Sequence, residues 1–180
     1  MYAVIALFDA VLEQRIKRIW EDLESNEISY YASEVEDRVP HITLASYKEV
    51  SVTDFIKEME AFYKDKRKIQ VEFQALGSFI NTKTLFYSPT VTKELMELHS
   101  NHHSYFASFQ KGEESVYLPG KWVPHCTLAN RLSEEKLKEA YGHCLNISGW
   151  LEGEINRIGL IRVDSSKHAP VIYSKSLIEL

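Results

Sequence analysis

The heptapeptide VPHCTLA at residues 123–129 nearly restates VPHITLA at residues 39–45. The copies lie 84 residues apart and differ only where Cys126 replaces Ile42. Proline fixes its own φ and biases the preceding valine towards extended backbone, so each phrase reads as the start of a strand. Side chains alternate along a strand. His41, Thr43 and Ala45 then share one face, opposite Ile42 and Leu44; His125, Thr127 and Ala129 likewise oppose Cys126 and Leu128. The apolar pair suits a core, and each His–Thr pair faces outwards. A single His-x-Thr on a strand is usually structural, but two in the same context call for a joint explanation.

The elements around the phrases also echo each other. Residues 2–8 form a strand-length apolar run, and Asp9 can cap a helix over residues 10–25, where Leu12, Ile16, Ile19 and Leu23 recur at helical spacing. A polar stretch, NEISYYASEVEDR, precedes the first phrase, and a helix over DFIKEMEAFYKD follows it. Strands are expected in KIQVEFQALGSFI and TLFYSPT, then a helix over residues 92–109 and the segment QKGEESVYLPGK before the second phrase. Ser133 opens a fourth helix, and WLEGEINRIGLIRVD and APVIYSKSLIEL read as closing strands. LGSFINTKTLFYS is echoed by IGLIRVDSSKHAPVIYS. The expected order in each half is strand, helix, phrase-bearing strand, helix, paired strands. Such a duplicated chain gives two packed lobes within a single domain spanning residues 1–180, because no Pro/Gly/Ser-rich linker divides them.

A chain of 180 residues with 44% hydrophobic and 12% aromatic residues is composed like a soluble globular protein. A formal net charge of −5 argues against gripping long duplex nucleic acid through an overall positive field, but leaves room for a nucleotide or a strand end. Two cysteines without Cys-x-x-Cys spacing favour a reducing compartment. The first residues lack a basic leader, and their apolar run is too short for a membrane span, so a cytoplasmic protein without membrane association is expected.

If the two polar faces meet across a cleft, two imidazoles and two hydroxyls surround one small volume. Threonine hydroxyls can donate to phosphate oxygens, and histidines can give or take a proton near neutral pH. In-line displacement at phosphorus needs a base for the attacking oxygen and an acid for the departing one. Two histidines supply both without a metal.

With HITL at residues 41–44 and HCTL at residues 125–128, the chain resembles the two-histidine (2H) phosphoesterase superfamily, which includes 2′-5′ RNA ligases and cyclic nucleotide phosphodiesterases. The resemblance implies a bilobal α+β fold whose antiparallel sheets line a central cleft, with helices outside. It also implies metal- and cofactor-independent chemistry on 2′,3′-cyclic or 2′-5′-linked phosphates of RNA ends or small nucleotides. It makes His41 and His125 the catalytic acid/base pair and Thr43 and Thr127 the phosphate-binding hydroxyls, without saying which histidine is the base. RNA-ligase-like members often carry an arginine directly after the second motif; here Asn130 stands there and Arg131 follows, sharing strand parity with His125.

By the same parity Tyr47 is a rim residue for base stacking and Lys121 one for phosphate charge. Trp122 and Tyr87 read either as a stacking wall or as core. His99 and His103 have the i, i+4 spacing of a zinc pair but no third ligand alongside, and a partly solvated helix face explains them better. The KDKRK run, residues 64–68, suits a helix C-terminus. Two other functions stay open: hydrolysis of cyclic di- or oligonucleotides at the same site, and nucleotide binding without turnover.

Overall fold

The computed structural model describes residues 1–110, 112, 114–147, 149–164 and 168–179. Lys111 and Glu113 of the segment before the second phrase, residues 165–167 of the echoed stretch, and Leu180 of the expected last strand lie outside them.

The elements are β1 (Tyr2–Phe8), α1 (Ala10–Ser25), β2 (His41–Tyr47), α2 (Val52–Tyr63), β3 (Ile69–Phe79), β4 (Thr84–Pro89), α3 (Lys93–Tyr105), β5 (Cys126–Ala129), α4 (Glu134–Ile147), β6 (Leu151–Arg162) and β7 (Val171–Ser176). The α+β expectation holds. The seven strands form one antiparallel sheet in the order β2-β1-β6-β3-β4-β5, with β7 added alongside β6. Read from its two ends this order pairs β2 with β5, β1 with β4, and β6 with β3. The matching halves are therefore β1-α1-β2-α2-β3 and β4-α3-β5-α4-β6. TLFYSPT opens the second half and does not close the first, contrary to the sequence expectation. The last strand of each half has crossed to the other: β6 pairs with β1, and β3 pairs with β4.

The helices cover one side of the sheet's core, which runs through Val4, Ala6, Phe8, Leu12, Ile16, Ile42, Leu44, Phe55, Phe73, Leu128 and Ile158. Helix α1 begins where Asp9 Oδ1 accepts the Val11 and Leu12 N–H groups at 2.9 and 3.0 Å, satisfying donors that a helix start leaves unpaired. The other carboxylate oxygen accepts the Glu154 N–H at 2.6 Å and so ties α1 to β6. Gly153 is required there, because a Cβ would stand 2.5 Å from Asp9 Oδ2. Helix α3 ends earlier than its spacing predicts: it stops at Tyr105, and a short 3₁₀ turn at Ala107–Phe109 follows. Among the described residues no helix is long and apolar enough to cross a membrane.

Candidate active site

The two phrase-bearing strands occupy the two ends of the sheet path, and β2 and β5 approach each other. Each proline holds its valine extended, and the histidine folds back on that valine. His41 Nδ1–H donates to the Val39 carbonyl at 2.7 Å, and His125 Nδ1–H donates to Val123 at 2.7 Å. This bond fixes the same tautomer in both copies and leaves Nε2 as the basic nitrogen. Burial pushes the His41 pKa down to about 4; the Val39 hydrogen bond opposes it, and the charges of His125 and Arg38 add to the depression. Burial also lowers the His125 pKa, against the Val123 hydrogen bond. The influence of His125 on His41 places both imidazoles in one electrostatic neighbourhood.

Immediately after each threonine the strand departs from simple alternation. Ile5 pairs with Thr43 but Val4 pairs with Ala45; in the second copy Phe86 pairs with Thr127 and Leu85 with Ala129. One extra residue, Leu44 or Leu128, therefore bulges from each strand and reverses the parity beyond it. Ala45 and Ala129 are both fully buried and do not flank the His–Thr pairs as expected. The same bulge overturns the rim assignment of Tyr47. That residue is 2% exposed, packs edge-on against Phe55 at 4.9 Å, and shares a hydrogen bond with His102 Nε2 at 2.8 Å. Ser46 takes the face of His41 and Thr43 instead, its hydroxyl 3.1 Å from that of Ser115.

Each threonine is held by the opposite half of the chain. Trp122 Nε1–H donates to the Thr43 carbonyl at 2.9 Å, and the Tyr117 phenol meets the Thr43 hydroxyl. Reciprocally, Trp20 Nε1–H donates to the Thr127 carbonyl at 3.1 Å, and the Tyr31 phenol meets the Thr127 hydroxyl. Edge strands leave carbonyls without a ladder partner, and the indoles satisfy these two. Tyr31 and Tyr117 escaped the sequence reading. The available signal was an aromatic residue shortly before each phrase, in NEISYYASEVEDR and in QKGEESVYLPGK. Trp122 lies with its ring stacked on His99 at 3.9 Å, and Tyr87 is 3% exposed, so packing accounts for both.

Two cavities flank the pair. One of about 730 Å³ is lined by His125, Thr127, Lys121, Tyr117, Phe79 and Asn130, with exposed Ile80, Val116 and Val123 also on its wall. The other, about 240 Å³, is lined by His41, Arg38, Arg131, Asp37, Tyr31 and Ile5, among others. Lys121 thus lines the cavity on the His125 side. Arg131 reaches the His41 side by a different route than strand parity: β5 ends at Ala129, and Arg131 turns through a φ of +53°. Arg38, absent from the sequence candidates, lays its guanidinium over the Tyr31 ring, 3.7 Å from the centroid.

The α3 histidines are buried, which corrects the solvated-face reading. His99 Nε2–H donates to the Tyr117 carbonyl at 2.7 Å, and His103 Nε2–H to the carbonyl of the bulged Leu44 at 3.1 Å. His102 lies between the hydroxyls of Tyr47 and Tyr63, at 2.8 and 2.7 Å. They thus support the inner side of β2 and the base of Tyr117. Among the described residues no group of three or more His, Cys, Asp or Glu is placed to hold a metal ion.

A search among curated proteins found no match. Among solved structures, LigT from E. coli in complex with 3′-AMP superimposes with a TM-score of 0.65 at 14% identity, covering 98% of this chain and 97% of LigT. A protein described as a phosphoesterase gives 0.63 at 14% identity with the same coverage, and TT0787 of Thermus thermophilus gives 0.59 at 14%, again over 98% and 97%. At these identities the likeness is one of fold. The family model of the 2′-5′ RNA ligase superfamily matches residues 8–167, which include both His-x-Thr phrases, and the chain belongs to that superfamily.

Proposed function

We propose that the protein is a metal-independent phosphodiesterase that opens 2′,3′-cyclic or 2′-5′-linked phosphates at RNA ends or on small nucleotides. The observation that carries this reading is the pair of identically oriented imidazoles, each with Nδ1 tied to a backbone carbonyl and Nε2 available. His41, held neutral by a pKa near 4, takes the proton of the attacking water. The water oxygen forms a bond to phosphorus as the bond to the ribose oxygen breaks, and His125 protonates that leaving oxygen. The bound phosphate anion favours the proton on His125 that this step consumes. Thr43 and Thr127 donate to the non-bridging oxygens. A nucleoside base suits the apolar wall of Ile80, Val116 and Val123. Crystallisation of LigT with 3′-AMP and with phosphate supports a nucleotide phosphate as the ligand class. Ligation to a 5′-hydroxyl is the same displacement with another nucleophile.

The test is a panel of 2′,3′-cyclic mononucleotides, 2′-5′ dinucleotides and cyclic oligonucleotides, each assayed with EDTA and with His41→Ala or His125→Ala. Turnover that survives EDTA and disappears in both variants is expected. Turnover abolished by EDTA would overturn the metal-free route. Nucleotide binding with no turnover on any substrate would mark a sensor.

A further inference from the structure

Arg38 has the surroundings of an anion-binding group and not of a structural arginine. Its Nη1 is buried and has no hydrogen-bond partner among the described residues. A guanidinium presents five N–H donors, and a buried donor without an acceptor is a cost that few folded chains retain. No ion pair of Arg38 is found among the described residues, although Asp37 lines the same cavity. Its guanidinium instead lies over the Tyr31 ring and meets the Tyr31 phenol, which also meets the Thr127 hydroxyl of the opposite motif. The same cavity holds His41, whose proton affinity the guanidinium charge lowers. Arg38 therefore stands between the histidine of one motif and the threonine of the other.

We propose that Arg38 is a catalytic residue whose guanidinium binds the non-bridging oxygens of the phosphate held between His41 and His125. The proposal rests on the phosphodiesterase reading for the identity of the reaction, but the anion site it describes can be measured without turnover. As water adds to phosphorus and the ribose oxygen leaves, negative charge accumulates on the non-bridging oxygens. Arg38 keeps its own proton throughout and meets that charge with preoriented N–H donors. The chain is acidic overall, at −5, so this local charge must come from a few placed side chains. Arg131 lines the same cavity and can add to it.

The experiment measures binding of inorganic phosphate by calorimetry, alongside hydrolysis of a 2′,3′-cyclic nucleotide, in the wild-type chain, Arg38→Gln and Arg38→Lys. Arg38→Gln is expected to weaken phosphate binding at least about tenfold and to lower kcat by roughly 10²–10³, with Arg38→Lys between the two. It also removes a charge that depresses His41, so the His41 imidazole should titrate at a higher pH by NMR in Arg38→Gln than in Arg38→Lys, which keeps the charge. In the wild type the Arg38 Nε–H resonance should move on phosphate titration, a readout that needs no variant to fold. An unmoved resonance, or Arg38→Gln retaining phosphate affinity within about twofold, overturns the proposal. Phosphate binding through Arg38 in a protein that hydrolyses no phosphodiester would leave the anion site standing and remove the proposed function instead.

Discussion

Around His41 the cavity is about 240 Å³ and carries Arg38, Arg131 and Asp37; around His125 it is about 730 Å³ and carries Ile80, Val116 and Val123, with Lys121 as its one charged wall residue among the described residues. The two strands that bear these histidines are nearly identical in sequence, bulge at the same residue and hold their imidazoles in the same tautomer. Most of the difference therefore arises outside the repeated phrase, in Asp37 and Arg38 before the first copy, Val116 before the second, Arg131 after it and Ile80 at the β3–β4 turn. The repeat provides a matched pair of imidazoles, while their surroundings make one side small and rich in charge and the other wide and more apolar. Sequence divergence around a fixed pair of strands supplies both.

The sharpest way to break this comparison is to remove one histidine at a time. Either alanine variant should lower kcat on a 2′-5′ dinucleotide by roughly 10²–10⁴. The two should separate on a p-nitrophenyl phosphodiester, whose leaving group departs without a proton. On that substrate His125→Ala should recover most of its activity and His41→Ala should not. Equal recovery by both would refute the assignment of base and acid.

A second test uses pH. His41 and His99 have pKa values near 4 in the fold, and that of His102 is well below its ordinary value, mainly because each is buried. The unfolded chain takes up these protons near pH 6.5. Stability is therefore complete above about pH 6.5 and falls as the pH drops towards 4, because there the unfolded state binds more protons. The melting temperature at pH 5 should lie at least about 5 °C below that at pH 7, given about 2–4 °C per kcal/mol for a chain of this size. The acid limb of kcat/KM should lie near pH 4, the His41 value. A melting temperature that does not change between pH 7 and 5 would show that these rings are solvated.

Smaller effects are expected from the residues that hold the threonines. Tyr117→Phe and Tyr31→Phe should each reduce kcat/KM about two- to tenfold, the worth of one hydrogen bond. Tyr117→Phe should add nothing further in a Thr43→Val background, because the partners act as a unit. Full additivity in that double mutant would show that phenol and threonine are independent. The smallest effect should come from Asp9→Ala, which removes the α1 cap and its link to β6. It should cost about 1–2 kcal/mol in denaturant unfolding and leave kcat within twofold.

Local signals made much of the fold readable. Strand β1 and helix α1 begin and end where the apolar run and the Asp9 cap place them. Of the motif residues, His125 and Thr127 line the wider cavity and His41 the smaller one. Tyr47 was misassigned because alternation assumes an unbroken strand, and the bulge at Leu44 depends on how β1 pairs with β2. The α3 histidines were misread because their spacing does not reveal that β2 and Trp122 pack over them. Arg38 was missed because its role depends on Tyr31 and on the Thr127 side of the molecule, neither of which it marks in the sequence.

The amino-acid sequence by itself determined the repeated strand starts, the histidine tautomer that proline and valine impose, and the amphipathic helices. These depend on backbone sterics and on contacts within a few residues. Tertiary structure alone decided that each half's last strand crosses to the other half, that each threonine is held from the far side, and that a small charge-rich cavity and a wider, more apolar one flank the imidazoles. Those features depend on the pairing of distant strands and on which buried groups are left to satisfy one another, and neither is specified by any short stretch of chain.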